Sequence, residues 1–169
     1  NQFSASATTI AGVPGFFKLR FPPAALMPQG SVAASSFYDT TPLRATLEEL
    51  IDFDLLNNGD IRLSLGAVNV ETGNMTWFDS TTQRIGPAHV MASGALPPGF
   101  PAVEIDGAHY WDGGLVSNTP LQYVMDAQKP QVDLCVFQVD LFNARGKLPA
   151  SVWQSEAREK EIRFSSRTR

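Results

Sequence analysis

The chain has one cysteine, Cys135, so no disulfide can form within it. That thiol lies inside the apolar run LCVFQV and is expected to be an inert member of the core. No window reaches 18 consecutive apolar residues, which leaves no candidate transmembrane helix. The opening stretch NQFSASATTIAGVPGFF shows neither the basic start nor the long apolar centre of a secretory signal. Positive charge is not in excess: 13 Lys and Arg stand against 17 Asp and Glu, a net charge of −4. Nucleic-acid binders are usually basic, so no nucleic-acid partner is expected. No Gly-x-Ser-x-Gly nucleophile elbow occurs. GVPGFF lacks the lysine and the following helix of a phosphate-binding loop.

What is present reads as one globular domain of 169 residues, 43% hydrophobic and 18% charged, without internal repeats. A chain of this length buries roughly 70% of the surface its unfolded form exposes. Residues 1–36 are rich in Pro, Gly, Ser and Ala and have no sustained period. Within them Phe16, Phe17, Leu19 and Phe21 crowd between prolines. Two readings stand for this segment: packing onto an apolar surface, or a lid or lipid-facing loop.

Residues 37–140 carry the regular elements. TPLRATLEELI predicts a helix, with Thr41 as cap, Pro42 in the first turn, and Leu43, Leu47, Leu50 and Ile51 on one face. IRLSLGAVNV alternates at Ile61, Leu63, Leu65 and Ala67 like a half-buried strand, and MTWFD returns beside it after the ETGN turn. A short helix is predicted over Pro87–Ser93, stopped by Gly94, before the stiff loop ALPPGFP. Asp106-Gly107 between apolar runs signals a two-residue hairpin. On its return strand Tyr110 and Asp112 share one face and His109 and Trp111 the other. TPLQ fits a capping box, with Thr119 as cap, Pro120 first in the helix and Gln122 reaching back. That helix is expected to bury Leu121, Val124 and Met125 and to end by Lys129. VDLCVFQVDLF then has the look of a strand covered on both faces. Strand, loop, capped helix and buried strand predict an α/β domain. Residues 141–169 begin a charged further segment, helical from Ser151.

Asp112 is the sharpest chemical candidate. It stands at the carboxyl end of a strand, where open α/β sheets place their sites. Gly113 and Gly114 follow, free to turn sharply and to let another group approach. A plain tight turn explains the same residues. His109 admits a Ser-His-Asp triad, although a hydrogen-bonded strand residue accounts for it as well. His89, His109 and a carboxylate lack metal-ligand spacing, so no metal or other cofactor is expected. Ser64 and Ser93 lie in LSLGA and MASGA, neither of which is an elbow, and both read as structural.

SGALPPGFP, followed by YWDGGLVSNTPL, a helix and an apolar strand, resembles the later half of a patatin-like phospholipase domain. The likeness spans roughly residues 38–140, and IRLSLGAVNVETGNMTWF resembles the strand pair before that family's Asp-Gly-Gly motif. It implies a three-layer α/β fold around a mostly parallel sheet, incomplete in this chain. It also implies hydrolysis of acyl esters, typically lipids, by a Ser–Asp dyad without histidine or metal. Asp112 matches the dyad aspartate, and Gly113 and Gly114 complete its motif. The family's serine elbow and oxyanion loop lie further upstream and are absent here. The chain is therefore expected to be the later portion of a domain whose N-terminal segment supplies the nucleophile. An ordinary Asp, with a pKa of about 3.9, is a poor base for a serine. Desolvation by Tyr110 and Leu115 would shift Asp112 in the direction required. A lipid substrate is expected, together with a cytoplasmic or peripherally membrane-associated location. The rival class is a non-catalytic lipid- or protein-binding module without a nucleophile.

Overall fold

The computed structural model describes residues 8, 10–127, 133–139 and 141–165. They form two compact units, one up to Gly113 and one from Gly114 onward.

The first unit is built on four strands, preceded by a small ribbon. Strands β1 (Lys18–Leu19) and β2 (Tyr38–Asp39) make the ribbon. The sheet contains β3 (Ser64–Asn69), β4 (Met75–Asp79), β5 (Val103–Ile105) and β6 (Ala108–Asp112), in the order β4-β3-β6-β5. Every pair in it is antiparallel. The α/β class is as expected, but no parallel pair occurs among the described residues. Each neighbouring pair here is joined by a hairpin or by a return connection, which sets the strands in opposite directions.

The local signals explain the elements. The Asn69 side-chain oxygen accepts three hydrogen bonds, from the N–H groups of Glu71 and Thr72 and the Thr72 hydroxyl, and Gly73 takes a φ of 70° to close the β3–β4 turn. Asp106 and Gly107 have φ of 51° and 80°, the left-handed pair that a two-residue hairpin requires. Helix α1 (Thr41–Leu50) starts where expected, with a different cap. The Asp39 carboxylate, two residues earlier, accepts from both the N–H and the hydroxyl of Thr41. Leu43 and Leu47 face inward and Leu50 is exposed. Helix α2 (Phe53–Asn58) is capped by Asp52, whose side chain accepts from Leu55 N–H at 2.8 Å. Helix α3 (Pro87–Ser93) ends at Gly94, as predicted.

The core lies between one sheet face and α3. Ala67, Phe78, Ile85, Ala92 and Ile105 are buried there, with Leu63, Leu65, Ala88 and Tyr110 around them. Phe78 meets Tyr110 edge-on at 5.1 Å and His89 at 4.8 Å. Asn57 joins α2 to this core. Its amide oxygen accepts from Ile85 N–H at 2.6 Å, and its nitrogen donates to Ile85 C=O at 2.8 Å. The Phe-rich segment is packed in part. Phe16 and Phe17 pack against Phe100, and Phe17 against Tyr38, whereas Phe21 stands in solvent.

The second unit departs further from expectation. Helix α4 (Leu121–Asp126) begins after Pro120 without a side-chain cap, so Thr119 and Pro120 lie outside it. Gln122 does not reach back; its amide donates forward to Asp126 at 2.6 Å. Val124 and Met125 are exposed, since no described strand lies under this short helix. Residues 133–139 form no strand and are exposed, Phe137 by 90%. Among the described residues no neighbouring strand supplies a hydrogen-bond ladder, and residues 133–139 are irregular. Cys135 is accordingly exposed, not a core thiol. The rest of VDLCVFQVDLF includes positions outside the described residues. Helix α5 (Val152–Phe164) is capped by Ser151, as the sequence suggests.

Candidate active site

Asp112 ends β6 opposite Ala67 of β3. Strand alternation and register put its side chain on the face shared by Ala67 and Tyr110, the face that α3 covers. It is half-buried. Its N–H donates to the carbonyl of Ala95, at 3.0 Å, in the loop that follows α3. One backbone hydrogen bond therefore ties the WDGG stretch to the SGALPP stretch, 17 positions earlier.

Gly113 is needed for space, not for a left-handed φ. A Cβ built on it would lie 2.5 Å from the carbonyl oxygen of Gly66 and 2.9 Å from Met75 Cε. The reciprocal position is equally filled: a Cβ on Gly66 would meet Met75 Cε at 2.5 Å and Trp77 at 2.8 Å. The close approach expected at this motif is made at Gly113 by the Gly66 backbone, and a 3-10 turn carries the chain over Gly113–Leu115, through Gly114. Gly66 was not singled out from sequence. An isolated glycine inside an alternating strand is the signal that marks it.

The rival groups are engaged elsewhere. His89 Nδ1 accepts from Gly86 N–H at 2.9 Å and helps start α3. His109 pairs across the hairpin with Glu104, on the sheet face opposite Asp112. A triad through His109 and Asp112 does not form. Among the described residues no group of three His, Cys, Asp or Glu side chains is arranged to hold a metal ion.

A serine–carboxylate contact does occur, at Ser64 and Asp79. The Ser64 hydroxyl donates to Asp79 Oδ2 at 2.7 Å, across the β3–β4 pair. Asp79 is only 3% exposed and also accepts from the Arg62 guanidinium, the Thr81 hydroxyl and the Thr81 N–H. The Arg62 guanidinium, acting against burial and aided by Thr81 and Ser64, holds this carboxyl well below the usual carboxylate range. So stabilised an anion is a weak base, and the pair locks two strands together. This network was not foreseen, because its four side chains converge only when β3 and β4 pair.

The family model for patatin-like phospholipase matches residues 13–125, two thirds of the chain. The chain belongs to the patatin-like phospholipase family. The match includes the Phe-rich segment as well as the region around Asp112, and so begins earlier than the motifs alone suggested. Membership assigns the domain to the lipid acyl hydrolases. No curated protein matches the chain.

Proposed function

We propose that this domain hydrolyses acyl esters of lipids through a Ser–Asp dyad in which Asp112 is the general base. The observation that carries the reading is the double anchoring of Asp112. Its backbone is tied to Ala95, and the next residue is wedged against Gly66. A base must be held within about 2.6–3.2 Å of the hydroxyl it activates, so a fixed strand end favours that task. The serine would come from a Gly-x-Ser-x-Gly segment outside these 169 residues, since no such motif occurs within them. Asp112 would take its proton as the hydroxyl attacks the ester carbonyl. An acyl-serine forms and the alcohol departs with that proton; water, deprotonated by Asp112 in turn, attacks the acyl-serine, and Asp112 returns the proton to the serine oxygen as the fatty acid leaves.

The test is Asp112→Asn in a protein that unites this domain with the elbow. The nearly isosteric change should lower kcat by about 10²–10⁴-fold with little effect on KM. His109→Ala should stay near the wild-type rate. The opposite pattern, an active Asp112→Asn and a dead His109→Ala, would replace the dyad with a histidine-dependent mechanism.

A further inference from the structure

Residues 21–37, FPPAALMPQGSVAASSF, contain no charged side chain. They form a loop on a closed stem. At the stem Arg20 N–H donates to Phe37 C=O at 3.1 Å, and β1 pairs with β2. The Arg20 guanidinium donates to Ser36 C=O at 3.3 Å, Ser36 Oγ at 3.0 Å and Tyr38 C=O at 3.0 Å. Phe37 and Tyr38 N–H groups bond to Pro98 and Gly99 carbonyls, which moors the stem to the loop after α3. Beyond this clamp the apolar side chains face outward: Phe21 is 93% exposed and Leu26 75%, with Val32 and Phe37 also exposed.

The loop's backbone is suited to leaving water. Pro22, Pro23 and Pro28 have no N–H to desolvate. Leu26 and Met27 donate to the carbonyls of Pro23 and Ala24, and Ser31 and Ala34 to those of Pro28 and Ser31. The Ser31 and Ser35 hydroxyls bond to the Pro28 and Val32 carbonyls. Donors already paired within the loop lower the cost of entering an apolar medium. The charge pattern selects the surface. Lys18 lies 3.3 Å from the Asp39 carboxylate, and the Arg20 guanidinium, though charged, is directed into the stem, so the loop beyond it presents no charge of its own. Attraction to anionic headgroups has little to act through.

We propose that residues 21–37 are a membrane-docking loop whose exposed apolar side chains, chiefly Phe21 and Leu26, enter the headgroup–acyl boundary of a neutral, zwitterionic lipid surface. The inference rests on the family's lipid chemistry and not on the dyad, and it is read by binding without turnover. Its failure is therefore distinct from failure of the Asp112 assignment.

A protein that unites this domain with the nucleophile-bearing segment should co-float with phosphatidylcholine vesicles to the same extent in 0.1 M and 0.5 M NaCl, although the screening length falls from about 10 Å to about 4 Å. Phe21→Asp combined with Leu26→Asp should reduce the bound fraction at least tenfold, with an unchanged unfolding midpoint because both positions are exposed. Phe21→Trp should retain binding, and its fluorescence should shift to the blue on adding vesicles, beyond the shift of the wild type. Absence of wild-type binding, undiminished binding of the double variant, or binding confined to anionic vesicles and lost in salt would each overturn the proposal.

Discussion

Gly113 and Gly66 are in backbone contact: a Cβ on Gly113 would stand 2.5 Å from the Gly66 carbonyl oxygen and 2.7 Å from its carbon. Both obstacles are main-chain atoms in the middle of β3, so neither can swing away. The residue after Asp112 is consequently glycine for lack of room.

Gly113→Ala should therefore destabilise the domain by roughly 1–3 kcal/mol, the usual cost of forcing an extra carbon into a packed site. Gly94→Ala is the control, since a Cβ there meets nothing within 4 Å. It should change stability by less than about 0.5 kcal/mol. Urea unfolding of the two variants compares them directly, and equal midpoints would contradict the contact.

The Arg62–Asp79 pair makes a prediction in pH. Asp79 has a folded pKa below its unfolded value, because Arg62, Thr81 and Ser64 favour the anion. Its contribution to stability is then fully present above the unfolded pKa of about 3.9 and declines as pH falls below it. Asp79→Asn should flatten the acid side of the stability profile and leave the slope above about pH 5 unchanged. Asp79→Ala should cost on the order of 2–4 kcal/mol at neutral pH, since Arg62 then loses a buried partner while keeping some access to water.

Asn57 should be as important to the fold as a core hydrophobe. Asn57→Ala leaves both the N–H and the C=O of Ile85 without their partner, next to a side chain that is 1% exposed. A loss of about 1–3 kcal/mol is expected. Asn57→Asp can still accept from Ile85 N–H but cannot donate to its carbonyl, so it should be destabilised too. Thermal unfolding that ranks either variant with the wild type would refute the clamp.

The isolated chain should not turn over p-nitrophenyl esters above background. Ser64 already donates to a carboxylate that is a weak base, and Ser93 closes a helix. Ser64→Ala and Ser93→Ala should leave that background unchanged. Turnover abolished by either substitution would place the nucleophile inside these 169 residues.

Much of the first unit was legible from local pattern. The Asp106-Gly107 turn, the Pro87–Ser93 helix with its Gly94 stop and the inward positions Leu63, Leu65 and Ala67 depend on backbone preferences within a few residues and appear as read, whereas Ile61, expected on the same face, precedes β3 and is exposed. The position of Asp112 at a strand end and on the face of Tyr110 followed from the same period of two. Local pattern failed where a covering partner was assumed. VDLCVFQVDLF looks like a buried strand because apolar residues imply a cover, yet burial is a property of neighbours, and no strand among the described residues lies beside residues 133–139. Cys135, Val124 and Met125 are exposed for that reason.

What the sequence determined by itself was the set of turns, helix limits and strand faces, along with the ordered motifs that resemble the patatin-like family. Tertiary structure alone decided which groups meet. Gly66 reaches Gly113 only because β3 pairs with β6, and Ser64 and Arg62 reach Asp79 only because β3 pairs with β4. Ala95 meets Asp112 only once α3 packs on the sheet. Each of these contacts joins residues at least 15 positions apart, and a pairing at that separation is selected by burial of the whole sheet face, which no short window of sequence contains.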